Sequence, residues 1–144
     1  MNRAELAARQ AALLAALVAG AAVPDGLDGK RLAIARDALL RKRAGEVATA
    51  WPLLAASVGT GWAMRFAQWA AGRPPQGSLR DGWDLARDMA AAGELAPLGR
   101  DELTTREVLW RYNGHTAPKR RRLPALRRMP GGVIVGLAGR ARRF

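Results

Sequence analysis

The sequence predicts a mainly α protein: a compact helical bundle with a basic C-terminal extension folded as a short β-hairpin. Three observations predict it. Apolar residues recur at helical spacing from the N-terminus to about Tyr112. Beyond Gly114, Pro118, Pro124 and Pro130 exclude a long helix, while Val133-Ile134-Val135 has strand character. Charge is concentrated in the same stretch: residues 1–99 hold 12 Lys/Arg against 9 Asp/Glu, and residues 100–144 hold 12 against 3. The expected division is a helical bundle over 1–114 and an extension over 115–144. A chain of 144 residues suffices for one ordinary domain, which buries roughly 65–70% of its unfolded surface.

The first helix is expected from Ala4 to Ala19, with Leu6, Leu13, Leu14 and Leu17 on its apolar face and a stop at Gly20. Pro24-Asp25-Gly26 forms the turn that follows. Ala11–Ala19 has the length of a signal-peptide apolar region, and Ala19-Gly20-Ala21-Ala22 resembles a cleavage site. Against that reading, Arg3, Glu5, Arg9 and Gln10 mix both charge signs into the segment. No stretch reaches the ~18–20 apolar residues that span a bilayer, so no membrane span and a cytoplasmic location are expected.

A second helix, Gly29 to Ala50, should turn Leu32, Ile34, Leu39, Leu40 and Val47 inward and leave Arg36, Arg41, Lys42 and Arg43 to water or a partner. Pro52 lacks a backbone donor, so the helix breaks at Trp51 and a new one runs from Pro52 to Val58. Thr60 is the expected N-cap of a helix over Gly61–Ala71 that aligns Trp62, Phe66 and Trp69 on one face. After the loop Gly72–Gly77, Ser78 with Asp81 signals a helix over Leu79–Ala92. A last helix over Leu98–Tyr112 ends at Asn113-Gly114. The extension reads as a hairpin over Arg127–Val135 with its turn at Pro130-Gly131-Gly132. A lone hairpin is marginal in water, so it should dock on the helices or on a partner strand.

Composition removes most chemistry. There is no cysteine and the single histidine is His115, so no metal ligands, no cofactor, no nucleophile with its base and no enzymatic activity are expected. Asp81, Asp84 and Asp88 interleave with Arg80 and Arg87 and read as a solvated mixed-charge face, not a metal site. The tryptophans read as core, except Trp110, which lies next to the basic stretch. That stretch carries the strongest functional signal: Lys119, Arg120, Arg121, Arg122, Arg127 and Arg128, then Arg140, Arg142 and Arg143, with no acid from His115 onward. Arginine's planar fork suits carboxylate and phosphate, so the segment reads as a recognition surface. Nucleic acid through this tail is one reading, since neutralising phosphates needs no sequence recognition.

The central segment also resembles a known family. Arg36-Asp37-Ala38-Leu39-Leu40-Arg41-Lys42-Arg43, Trp51-Pro52-Leu53-Leu54, Val58-Gly59, Trp62, Phe66-Ala67, Arg73-Pro74-Pro75 and Ser78-Leu79-Arg80-Asp81-Gly82 are similar to the N-terminal domain of the HvfC/BufC type, long labelled a DNA-binding domain. The likeness covers about residues 5–92, and little from Leu98 to Phe144 aligns with it. The resemblance implies an all-helical, non-catalytic accessory partner. Its expected partners are a multinuclear iron-dependent oxidative enzyme and the ribosomally made precursor peptide that enzyme modifies. For the tail, a strand over Gly132–Leu137, with Val133, Ile134 and Val135 at its centre, would pair with an extended peptide while nearby arginines meet its acidic side chains.

Overall fold

A computed structural model describes all residues from Met1 to Phe144. The chain is mainly helical, with a small antiparallel sheet at its C-terminal end. It divides into two compact units, Met1–Glu46 with Thr60–Gln76, and Val47–Gly59 with Gly77–Phe144. No helix is long and apolar enough to cross a membrane.

The first unit holds α1 (Arg3–Ala19), most of α2 (Gly29–Ala50) and α4 (Trp62–Ala70). Asn2 caps α1, its side chain accepting from the Glu5 N–H at 2.8 Å while the Glu5 carboxylate accepts from the Asn2 N–H at 2.8 Å. This Asn-x-x-Glu box starts the helix one residue earlier than Ala4, the start expected from apolar spacing. At the other end the helix stops at Gly20 in the left-handed conformation. Arg36 of α2 ties this end down: its guanidinium donates from Nε to the Ala16 oxygen, in the last turn of α1, and from Nη2 to the oxygen of Ala21, just past the cap, at 2.7 Å. Arg36 therefore points inward, contrary to expectation, whereas Ile34, expected inside, is exposed. Two of the four leucines expected to line the core face of α1, Leu6 and Leu14, are likewise exposed.

On α4, Trp62 and Phe66 are buried and Trp69 is half-buried, so the aromatic stripe packs as predicted. The Trp62 indole donates to the Ala44 oxygen at 2.8 Å. Arg43, also expected outside, is half-buried over the Phe66 ring. Thr60 does not cap α4: it lies within a 3₁₀ turn, Gly59–Gly61, and Gly61 takes the cap position.

The second unit contains α3 (Pro52–Val58), α5 (Ser78–Ala91), α6 (Pro97–Leu109) and five strands. Ser78 is the first helical residue of α5 and Gly77 its N-cap, so the expected serine cap is absent. Asp81, expected on a solvated face, is buried at 4% exposure, because its turn of α5 packs inward with Gly82 and Trp83. The last helix is shorter than predicted. Trp110 and Arg111 leave the helical conformation as β1 and pair antiparallel with β2 (Lys119–Arg120).

The predicted hairpin is present and longer, β3 (Ala125–Met129) against β4 (Gly132–Leu137). Its two-residue turn has Pro130 second and Gly131, at φ 82°, third, the residue order of a type II turn. A third strand, β5 (Arg140–Arg143), pairs with the other side of β4 and answers the need for a docked hairpin. The sheet packs on α6 through Ile134 and Gly136. At Gly136 an added Cβ would sit 2.7 Å from the Val108 oxygen, so only glycine lets β4 approach the helix.

The β4–β5 turn carries a local cost. Ala138 has φ 50° and is followed by Gly139 at 77°, the pattern of a type I′ turn, in which asparagine is favoured first. Ala138→Asn is expected to stabilise the second unit by roughly 1 kcal/mol, read as a raised midpoint in thermal melts.

Candidate interaction surface: the basic C-terminal sheet

Strand alternation and register sort the basic residues of the extension into separate groups. Residues directly opposed across antiparallel strands share a face. On β3, β4 and β5 this places Arg127, Ile134 and Arg143 on the face toward α6, and Leu126, Arg128, Val133, Val135 and Arg142 on the other. Ile134, predicted to meet a partner, is instead core. Arg127 and Arg143 reach acids of α6, with N–O separations of 4.0 Å to Glu107 and 3.4 Å to Asp101. These pairs are exposed on the arginine side and add little stability. The outer face joins the apolar groups of Leu126, Val133, Val135, Leu137 and Phe144 to Arg128, Arg140 and Arg142.

The other predicted site residues have different roles. Arg121 is half-buried and structural: its Nε donates to the oxygens of Glu107 and Trp110 at 3.1 Å each, and its N–H to Leu109 at 2.9 Å. These bonds satisfy the last carbonyls of α6. Arg120 lies over the Trp110 ring at 5.1 Å, and Arg122 is exposed. Lys119, Arg121 and Arg127 come together with Arg87 and Arg111 around an open cavity of about 470 Å³. Neither Arg87, expected on a solvated mixed-charge face, nor Arg111, four residues before the extension, is among the expected site residues. A strand over 132–137 cannot accept a peptide edge-on, because β3 and β5 already occupy both sides of β4; the outer strands of the sheet are β3 and β5.

Beneath the cavity lies a polar network on α5 and α6. Glu107 accepts from the Trp83 indole at 2.8 Å and pairs with Arg87 at 2.7 Å, while Arg87 also donates to the Tyr112 oxygen at 2.9 Å. The Tyr112 hydroxyl donates to Asp84 at 3.0 Å. Burial pushes the Asp84 carboxyl above its usual range, against the pull of the Tyr112 hydrogen bond, Arg80 and Arg87. Burial likewise raises Tyr112; the hydrogen bond from Arg80 opposes that shift, and Asp84 reinforces it through its hydrogen bond and charge.

A raised phenol contributes stability that is complete below its unfolded value of 10.0 and is lost as pH climbs through the folded value. Tyr112 is the only tyrosine, so phenolate absorbance reads it directly. Its midpoint is expected above 10.0 in the native chain and lower in Asp84→Asn; a native midpoint at or below 10.0 would contradict the network.

The structure defines a class of protein, mainly helical with a small antiparallel sheet, whose second unit carries a basic surface and a cavity lined by cations. Residues 7–91 match the family described as SCO6045-like, C-terminal domain. That is more than half of the chain, which belongs to this family. The matched segment ends with α5, before α6 and the sheet. A relative from Streptomyces avermitilis, a UPF0276 protein, is 42% identical over 92 residues, which are 63% of this chain and 19% of the relative. The chain thus spans about a fifth of the length of the curated relative it matches. No solved structure matches it.

Proposed function

We propose that the protein is a non-catalytic accessory partner that binds a multinuclear iron-dependent oxidative enzyme and helps hold its ribosomally made precursor peptide. The observation that carries this reading is the share of the relative: 19% of a much longer chain corresponds to this domain, so in that protein it works beside a larger body. The resemblance of residues 5–92 to the HvfC/BufC type points the same way. The enzyme contact is assigned to the helical domain and the peptide to the sheet. There the outer strands β3 and β5, not β4, are the candidates for adding a peptide strand, with Arg128 and Arg142 beside them for its acidic side chains.

A second reading is nucleic-acid binding through the same tail. It is favoured by the nine cations, without one acid, from His115 onward.

The test is affinity purification of the tagged chain from its native cytoplasm at about 150 mM salt after nuclease treatment. Recovery of one iron-containing enzyme at near-equal stoichiometry is the expected result. Loss of all retained material on nuclease treatment would overturn it in favour of nucleic acid.

A further inference from the structure

β1 and β2 are paired so that Arg111 lies directly opposite Lys119. Like charges in that position share a face and repel. Neither side chain has an acidic partner in the fold, and both line the 470 Å³ cavity together with Arg87, Arg121 and Arg127. The lining contains one carboxylate, Glu107, and it is already engaged by Arg87 and the Trp83 indole. Arg121 has its Nε held by two carbonyls, which fixes the stem and leaves its terminal N–H groups for a ligand. Arg127 sits 4.0 Å from Glu107, at the limit of an ion pair. Several cations therefore converge from α5, β1, β2 and β3 with too little negative charge among them.

Cations crowded together at a protein surface repel one another, and an anion between them reverses the sign. We propose that this cavity binds a compact, multiply charged oxyanion of the diphosphate class. Four of the five cations are arginines, whose forks each offer two parallel donors to phosphate oxygens. Convergence favours a compact ligand over an extended acidic peptide, whose carboxylates are spread along its length. The one aromatic residue in the lining, Tyr112, is buried against Trp83 with Arg87 over its ring, which leaves unpaired bases little open face to stack on. The site goes beyond the accessory role and does not depend on it.

The experiment is calorimetric titration of the full chain with inorganic pyrophosphate at about 150 mM salt. Saturable binding of one anion per chain is expected. The double variant Arg111→Gln/Lys119→Gln should weaken it by roughly tenfold or more, the loss expected from charge-assisted hydrogen bonds. Arg3→Gln/Arg9→Gln removes the same charge from exposed positions of α1, in the first unit, and should change affinity by less than about threefold. Equal weakening by both variants, or no saturable binding, would mean diffuse attraction to a chain of net charge +12 and would overturn the proposal. Tighter binding of a mixed-sequence single-stranded oligonucleotide through Arg111 and Lys119 would also overturn it, giving the site to nucleic acid. Because neither residue has an acidic partner to lose, the first variant should melt no lower than the native chain, and a fixed concentration of pyrophosphate should raise its midpoint less than the native one.

Discussion

Gly82→Ala should cost the second unit about 3 kcal/mol or more, at the upper end of overpacking substitutions. The reason is the seat of Trp51. A Cβ at residue 82 would clash with Cδ1, Nε1 and Cγ of the Trp51 indole, and that ring is fully buried. It cannot step aside. Its Nε1 donates to the Leu79 oxygen at 3.0 Å, the Arg106 guanidinium covers it at 4.1 Å, and the Trp83 ring meets it edge-on with centroids 5.6 Å apart. In a chain of this size the loss corresponds to a melting midpoint lower by on the order of 10 °C. Gly45→Ala is the control: it is mid-helical with nothing near the added Cβ, so it should stabilise by up to ~1 kcal/mol. A Gly82→Ala midpoint equal to the native one would contradict the packing described for Trp51.

Glu102→Ala is expected to cost about 3–5 kcal/mol, the range for removing one partner of a buried charge pair. Glu102 is 8% exposed, and its two oxygens serve different elements. One accepts from the Leu54 N–H at 2.8 Å, in the first turn of α3. That helix has no side-chain cap of its own because Trp51 occupies the cap position. The carboxylate of α6 therefore does the capping from outside, where negative charge also suits the positive end of the helix. The other oxygen pairs with Arg106 at 3.3 Å, whose Nη2 also donates to the Ala50 oxygen. Removing the carboxylate leaves a buried N–H without an acceptor and Arg106 without its counter-charge. Glu102→Gln retains an acceptor and should cost about half as much or less. Denaturant unfolding of the two variants separates them; equal losses would mean that the charge, not the acceptor, holds α3.

Much of the helical part is legible in sequence because proline and glycine punctuate it. Pro52 and the Gly72–Gly77 loop bound elements close to the expected positions, whereas the last helix stops at Leu109, short of Gly114. The caps were less legible: glycine at 61 and 77 takes the position that Thr60 and Ser78 seemed to claim, while Asn2, four residues before Leu6, was the cap with a working partner. β5 could not be read, since Arg140-Ala141-Arg142-Arg143 has no apolar alternation and becomes a strand only by pairing with β4. For the basic surface, clustering in sequence marks the segment but blurs its parts. Alternation turns Ile134 inward, local carbonyls occupy Arg121, and the cavity needs Arg87 and Arg111, which only the folded chain brings to Lys119 and Arg127. Asp81 was misjudged because its charge outweighed its neighbours Gly82 and Trp83, which mark that turn as interior.

The central claim, that this domain acts by binding a larger chain, is tested most directly with the Streptomyces relative. Its chain, deprived of the 92 matched residues, would be mixed with this protein and the mass of the product measured by light scattering after size exclusion. A one-to-one complex, with iron in the larger component, is the predicted result. A folded remainder that stays separate at concentrations well above about 10 µM, where specific interfaces of ordinary size are formed, would contradict the account.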